Sequence, residues 1–367
     1  MRYFISTGEA SGELAGVLLA QQIRAIDPQA QFEGIGGTRM IENGFSLWRD
    51  HRGWATFGPF EAIPRIRKML AEMYAAANHI AATKPDRVIL VDFGAFNIRL
   101  ARQLRRLGYT NPIVDIFPPS AWMDREKAAR AVSQVALPVT AFEHQRDFFR
   151  SLGLPVWYFG HPLAGSYEMR AARPAPDREG GAVALLPGSR GAELRNHVPL
   201  LADAFKLLQR ERPQLQAVAG AASAAAVEPL AKAFRAAGVE RVKVVEGARA
   251  ALLDADAAFV ASGTAVLECA LLGVPCVAFY KLSPLLAIYG RMVYRGRFIT
   301  IPNLVLQREA VPELLQEHAT PMRLAHAMDK VLSDPQAQYR SMLELRGKLG
   351  PADAMHRIAA FVAEGAG

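Results

Sequence analysis

Residues 257–272 read Ala257-Ala-Phe-Val-Ala-Ser-Gly-Thr-Ala-Val-Leu-Glu268-Cys-Ala-Leu-Leu272, and this stretch decides the fold. Ala257 to Val260 forms a short apolar strand. A Ser262-Gly263-Thr264 turn follows, then a helix that runs to about Leu272. A second apolar strand, Val274 to Phe279, comes next. Strand, glycine turn, helix and strand make the βαβ unit of a parallel sheet covered by helices. Its helix start offers free backbone N–H groups and a positive dipole end at Ser262, Gly263 and Thr264, where a phosphate can sit. Glu268 lies one turn beyond Thr264 on the same face, within reach of sugar hydroxyls on the same ligand. The pattern suggests a nucleotide-sugar site. An ordinary βαβ unit with Ser262 as N-cap reads the same way.

The same alternation extends through the chain. Tyr3 to Ser6, Phe32 to Ile35, Val88 to Asp92, Pro112 to Ile116 and Val156 to Phe159 read as strands. Helices are expected over Leu14 to Ile26, Ile66 to Ala82 and Ile98 to Leu107. Ala182 to Leu186, Leu215 to Ala219 and Val242 to Val245 restart the pattern. The fold class is α/β, with two Rossmann-like doubly wound domains facing a cleft. The first covers 1–168. A linker over 169–181 holds the polar, Pro-rich run Ala171 to Gly181. The second covers 182–345, and a last helical segment occupies 346–367. Ligands of open α/β sheets bind beyond the C-terminal strand ends, so motifs there are the ones to weigh.

With 367 residues, two domains are the default, and 51% apolar residues are ample for burial. The net charge of +8 fits an anionic partner: a phosphorylated metabolite, an acidic lipid surface or nucleic acid. The basic residues are scattered, which argues against nucleic acid. Cys269 and Cys276 read as buried thiols of a reducing compartment. No signal peptide and no run long enough to span a bilayer is visible, so the expected location is cytoplasmic.

Several turns carry candidate chemistry. Thr7-Gly-Glu-Ala-Ser-Gly12 opens a helix, and Gly8 and Gly12 permit a tight turn and close backbone approach. Near Ser11 that helix start could hold a phosphate or a sugar hydroxyl, or be simply capped. Asp92 ends the apolar strand Val88-Ile-Leu-Val91 beside Phe93 and Phe96, so partial desolvation is expected to raise its pKa toward that of a general base. Asn97 could bond it or the helix start, and Asp92 could instead cap that helix. Leu185-Leu-Pro-Gly-Ser-Arg-Gly-Ala-Glu193 is another strand-turn-helix, with Gly188, Ser189 and Arg190 in the turn. Arg190 there could bind a diphosphate and offset charge on a departing nucleotide, or be a surface charge. Asn303, Glu313 and Gln316 are polar among apolar neighbours. Glu313 and Gln316, three apart, are expected on one helix face, contacting sugar or base or capping a helix. The eight histidines are isolated, so no metal site is expected. Trp54 to Lys68 and Tyr289 to Phe298 mix aromatic and basic residues and suit a lipid interface; core aromatics beside solvated charges would look alike.

Taken in order, these segments resemble the lipid-A-disaccharide synthase family of GT-B glycosyltransferases. The carrying residues are Gly8 to Gly12, Phe57-Gly58 with Glu61, Asp92 with Phe96-Asn97, Pro119-Ser120 with Trp122, and Phe142-Glu143. Gly160-His161, Leu185 to Glu193, Ser262 to Glu268, Pro302 to Leu304 and Glu313 to Gln316 complete them. The resemblance implies an inverting hexosyltransferase that uses no cofactor and no metal. Its donor would be UDP-2,3-diacylglucosamine and its acceptor 2,3-diacylglucosamine 1-phosphate. The product would be a β-1,6-linked disaccharide 1-phosphate, with UDP released. It also implies peripheral attachment to the cytoplasmic face of the inner membrane, and it admits a homodimer.

Asp92 would be the base, with Glu9 and Glu61 as rivals. Arg190 and the Ser262–Thr264 helix start would offset diphosphate charge, and Glu268 would hold the ribose. Glu9, Ser11 and Glu61 would line the sugar side. The last helix, Asp353 to Ala363, would cross back to the first domain, as in other GT-B folds. The family's D-x-P-D-F-N reads Asp92-Phe-Gly-Ala-Phe-Asn97 here, and its S-P-x-V-W-A-W-R reads Pro118-Pro-Ser-Ala-Trp-Met-Asp-Arg125. Its Pro-Phe-Glu reads Ala141-Phe-Glu143. These departures lie in the first domain, the acceptor side. A paralogous transferase with another acceptor, an inactive UDP- or lipid-binding protein and a UDP-sugar epimerase are the competing readings.

Overall fold

The computed structural model describes residues 1–51, 59–118, 126–171, 173–175, 180–282 and 296–365, the side chains of 10, 59–66 and 95 excepted. The first stretch runs β1 (Arg2–Thr7), α1 (Ala10–Ile26), β2 (Gln31–Gly36), α2 (Thr38–Glu42), β3 (Ser46–Asp50), α3 (Pro59–Thr83) and β4 (Arg87–Val91). It continues through α4 (Gly94–Arg106), β5 (Ile113–Ile116), α5 (Glu126–Ser133), β6 (Leu137–Thr140), α6 (Glu143–Ser151) and β7 (Trp157–Tyr158). After it come β8 (Ala182–Leu186), α7 (Gly191–Glu211), β9 (Gln216–Ala221), α8 (Ala224–Ala236), β10 (Val242–Glu246), α9 (Ala248–Leu253) and β11 (Ala257–Ala261). The chain ends with α10 (Thr264–Leu272), β12 (Cys276–Tyr280), α11 (Ile301–Leu306), β13 (Glu313–Leu315), α12 (Pro321–Ser333), α13 (Pro335–Lys348) and α14 (Ala354–Glu364).

Two compact units result. One joins Met1–Ser166 to Leu349–Gly367; the other is Tyr167–Lys348. In the first, seven parallel strands run in the order β3-β2-β1-β4-β5-β6-β7. Helices cover both faces. Ile5, Val91, Val114 and Ile116 face α1 and α14, and Ile358 and Val362 of α14 are fully buried there. Phe4, Val88, Leu90 and Ile113 face α3, α4 and α5. A strand buried on both sides must be apolar throughout, as the run from Val88 to Val91 is. Each large side chain so buried contributes about 1.5–3 kcal/mol.

In the second unit the order is β10-β9-β8-β11-β12-β13, again all parallel. Val183, Leu185, Phe259 and Phe279 pack under α7, α8 and α12. On the other face the side-chain amide of Gln338 (α13) pairs with both backbone groups of Cys276, at 2.8 and 3.0 Å. Both sheets reverse strand order at one place, between β1 and β4 and between β8 and β11. Such switch points leave a crevice outside the strand ends, where open α/β sheets take their ligands.

Candidate active site

In the first unit, β1 and β4 end side by side and the two turns beyond them interlock. Asp92 and Phe93 both adopt positive φ, +53° and +55°, which is strained for residues with a Cβ. The strain folds the Phe93 ring over Gly8. A Cβ on Gly8 would lie 2.1 Å from Phe93 Cγ, so only glycine fits. At Gly12 a Cβ would stand 3.3 Å from the Val91 carbonyl oxygen and 3.8 Å from Asp92 Cβ. Gly8, Gly12 and Asp92 therefore meet at one sheet edge. Asn97, fully buried on α4, locks the arrangement. Its Oδ1 accepts from Ser6 Oγ at 2.8 Å and its Nδ2 donates to the Asp92 carbonyl at 2.5 Å. Glu9 is the N-cap of α1, with no side-chain cap bond, and Ser11 follows inside the first turn.

Asp92 corrects an expectation. Its side chain is exposed rather than partly desolvated. The left-handed backbone carries it past the end of the apolar strand, and Oδ1 accepts the Phe93 N–H at 2.8 Å. The desolvated carboxyl is one strand over. Asp115 on β5 is completely buried, neither of its oxygens has a partner, and burial, then the nearby Asp92 charge, raise its pKa well above the carboxylate range.

In the second unit, the turns after β8 and β11 stand on adjacent strands. At the end of β11, Gly263 is the N-cap of α10, a residue with no side chain to cap with, so Ser262 does not fill the role. The first N–H groups of an α-helix lack intrahelical acceptors, and α10 presents them at this edge. Thr264 and Glu268 lie one turn apart on α10, both half-buried.

The turn after β8 is built differently. Glu193 turns back on it: Oε2 accepts from Ser189 N at 3.1 Å and from Arg190 N at 3.2 Å, and Oε1 accepts from Arg190 Nη1 at 2.7 Å. The protein's own carboxylate therefore engages the backbone amides of this turn. Gly188 has φ +101°, and a Cβ there would meet Glu193 Oε2 at 2.3 Å. In this turn Ser189 is exposed and Arg190 half-buried.

Asn303, Glu313 and Gln316 come together, but not as expected. Glu313 belongs to the edge strand β13, and Gln316 opens a 3-10 turn at φ +51°, so they share no helix face. Pairing with β12 draws 313–315 into the sheet. Glu313 accepts from Ile299 N, Thr300 N and Thr300 Oγ1, capping the start of α11. Asn303 is fully buried; its Oδ1 accepts from Ala310 N and Val311 N, and its Nδ2 donates to the Val311 carbonyl and to Glu313. Gln316 Oε1 accepts from Leu282 N. All three side chains brace this loop region.

His161 is buried between Phe117 and Phe142, and burial lowers its pKa to about 3. Its Nδ1 accepts from Leu163 N, a structural role. The side chain of Glu61 lies outside the described residues, as do Phe57-Gly58, Pro119 to Arg125 and most of Trp54 to Lys68 and Tyr289 to Phe298. Among the described residues, no group of three His, Cys, Asp or Glu side chains could hold a metal ion. No helix of those residues is long and apolar enough to cross a membrane.

Two residues escaped the sequence reading. Glu193 carries a signal, since an acidic residue three positions after an N-cap is the capping-box spacing. Tyr280 carries none: its hydroxyl donates to Glu193 Oε1 at 2.7 Å across 87 residues of chain.

Comparison with known proteins agrees with this architecture. Residues 3–350 match the family model described as lipid-A-disaccharide synthetase. A lipid-A-disaccharide synthase of Myxococcus xanthus is 36% identical, over 99% of this chain and 97% of its own length. One from Hahella chejuensis is 33% identical over 91% and 86%. Among solved structures, the UDP-GlcNAc 2-epimerase of Neisseria meningitidis bound to UDP-GlcNAc superposes with a TM-score of 0.65 at 12% identity, over all of both chains. The glycotransferase of kitacinnamycin does so at 0.60 and 14%, over 99% and 98%. At that identity the structural likeness speaks for the fold alone. With nearly its whole length matched by the family model and by full-length relatives, this chain belongs to the lipid-A-disaccharide synthetase family.

Proposed function

We propose that this protein is a lipid-A-disaccharide synthase. It transfers 2,3-diacylglucosamine from its UDP donor to 2,3-diacylglucosamine 1-phosphate, forming the β-1,6-linked disaccharide 1-phosphate and UDP. The observation that carries this reading is the family match over residues 3–350. Asp92 takes the proton of the acceptor hydroxyl as that oxygen attacks the anomeric carbon of the donor from the face opposite UDP. The two left-handed residues at 92 and 93 hold that carboxylate clear of the strand end. As the bond to UDP breaks, charge grows on the diphosphate. Arg190 and the start of α10 at Ser262, Gly263 and Thr264 meet it with a fixed cation and oriented N–H groups. Glu268, one turn along α10, accepts from the ribose hydroxyls. Glu9 and Ser11 at the start of α1, with Glu61, contact sugar.

The acyl chains of both substrates require access to lipid. Peripheral attachment at the cytoplasmic face of the inner membrane, through the segment around Trp54 to Lys68, supplies it, and the net charge of +8 suits an anionic surface. A second reading, transfer to a different acceptor, rests on Gly94 and Ala95, where the family pattern has Pro and Asp. Measured UDP release decides between transfer and other chemistry. The reading expects release only when donor and acceptor are both present. Release from donor alone would point to hydrolysis, and no release with intact UDP binding would point to a different acceptor.

A further inference from the structure

Arg190 and the start of α10, the two groups assigned to the diphosphate, stand beyond the ends of neighbouring strands, β8 and β11. Something must hold one against the other if both are to meet the same ligand. Tyr280 is placed to do so. It ends β12, where the register sets Ala261 beside Phe279, and Ser262 N donates to the Phe279 carbonyl at 2.8 Å. The Tyr280 backbone is thus tied to the strand end that launches α10. Its side chain reaches the other way, past the end of β11, and donates to Glu193 Oε1 at 2.7 Å. The same oxygen accepts from Arg190 Nη1 at 2.7 Å.

Glu193 is only 8% exposed. Burial pushes its pKa up, and the bonds from Tyr280 and Arg190 more than reverse this, so it stays a carboxylate. His197 adds a second tie between the same segments. Its Nδ1 donates to the Pro187 carbonyl at 2.7 Å, and its Nε2 accepts from Lys281 N at 3.2 Å.

We infer that Tyr280 is a positioning residue: through Glu193 its hydroxyl fixes the Arg190 guanidinium relative to the start of α10, so that both act on one diphosphate. This rests on the reading of Arg190 given above. Glu193 also fills the amides of its own turn, so Arg190 has to be aimed by its side-chain bonds and not by a phosphate lying in that turn.

A double-mutant cycle tests this on the full chain, with Tyr280→Phe, Arg190→Ala and the pair, read as kcat and donor KM in the UDP-release assay and as melting temperature. Tyr280→Phe removes one oxygen and is expected to lower kcat about tenfold, with a smaller change in KM. In the Arg190→Ala background the same change is expected to alter kcat less than twofold, because no guanidinium is left to aim. Arg190→Lys serves as the second background if the alanine variant melts early. Equal losses from Tyr280→Phe in both backgrounds would overturn the inference while leaving Arg190 in its role. An Arg190→Ala enzyme with full kcat would remove the assignment of Arg190, and the inference with it.

Discussion

Replacing Asp115 by Asn should stabilise the protein, increasingly so as the pH rises. The carboxyl is wholly buried in β5, and neither oxygen has a partner to offset the loss of water. A buried polar group left unpaired costs about 1–3 kcal/mol. Ionisation would cost more, and burial, with Asp92 adding to it, raises the pKa well above the usual range. Among the described residues, Asp92 is the charge that acts on it. Glu126 and Arg130 of α5 pair with each other in solvent, and Arg105 of α4 is turned to the carbonyls of Val135, Tyr109 and Asn111.

The sign follows from proton counting. In the unfolded chain Asp115 ionises near pH 3.9; in the folded chain it keeps its proton to higher pH. The folded state therefore binds more protons between the two pKa values, and stability falls as pH rises through that window, by up to about 1.4 kcal/mol per pH unit. Below the unfolded pKa the penalty vanishes. Asn cannot ionise, so the gap between variant and wild type should open from about pH 4 upward and widen by up to about 1.4 kcal/mol per pH unit until the pH passes the folded-state pKa. Urea unfolding of both proteins at pH 5, 6, 7 and 8, followed through the transition of the first unit, measures it. A gap that stays constant with pH, or an Asn variant less stable than wild type at pH 7, would refute the reasoning.

Other consequences are as concrete. Gly8→Ala places a methyl 2.1 Å from Phe93 Cγ, so it should cost about 1–3 kcal/mol in thermal melts, and Phe93→Ala in the same chain should restore part of it. Asp92→Asn should lower kcat by about 10²-fold or more with UDP affinity unchanged by calorimetry; full kcat would take Asp92 out of the base's role. Asn303→Ala leaves the Ala310 and Val311 amides and the Val311 carbonyl without their partner, and should cost about 2–4 kcal/mol in urea titrations.

The sequence made the central strands of each sheet legible because they are buried on both faces. Val88 to Val91 and Ala257 to Ala261 can only be apolar runs, and the glycine turns after them mark the C-terminal edge of each sheet. Elements that depend on neighbours were harder to see. β3 is a half-exposed edge strand with only Leu47 and Trp48 apolar, and β6 is four residues with Pro138 inside, so neither stands out. Three-residue spacing at Glu313 and Gln316 suggested a helix because periodicity cannot show that β12 recruits the segment as an edge strand. At that edge of the first sheet, Gly8, Gly12 and Asp92 were readable as turn residues. That Phe93 lies over Gly8 was not, because the contact follows from two left-handed residues. Asp115 lies in a strand that reads as apolar, Pro112 to Ile116, and its burial shows only in the sheet, while Tyr280 meets Glu193 only through the strand order.

The most direct test of the account is product identity. Purified protein in detergent with UDP-2,3-diacylglucosamine and 2,3-diacylglucosamine 1-phosphate should yield, by mass spectrometry, a tetraacyl disaccharide 1-phosphate that requires both substrates. Its rate of formation should fall about 10²-fold or more with Asp92→Asn. No disaccharide from a folded, UDP-binding enzyme would contradict the proposed reaction.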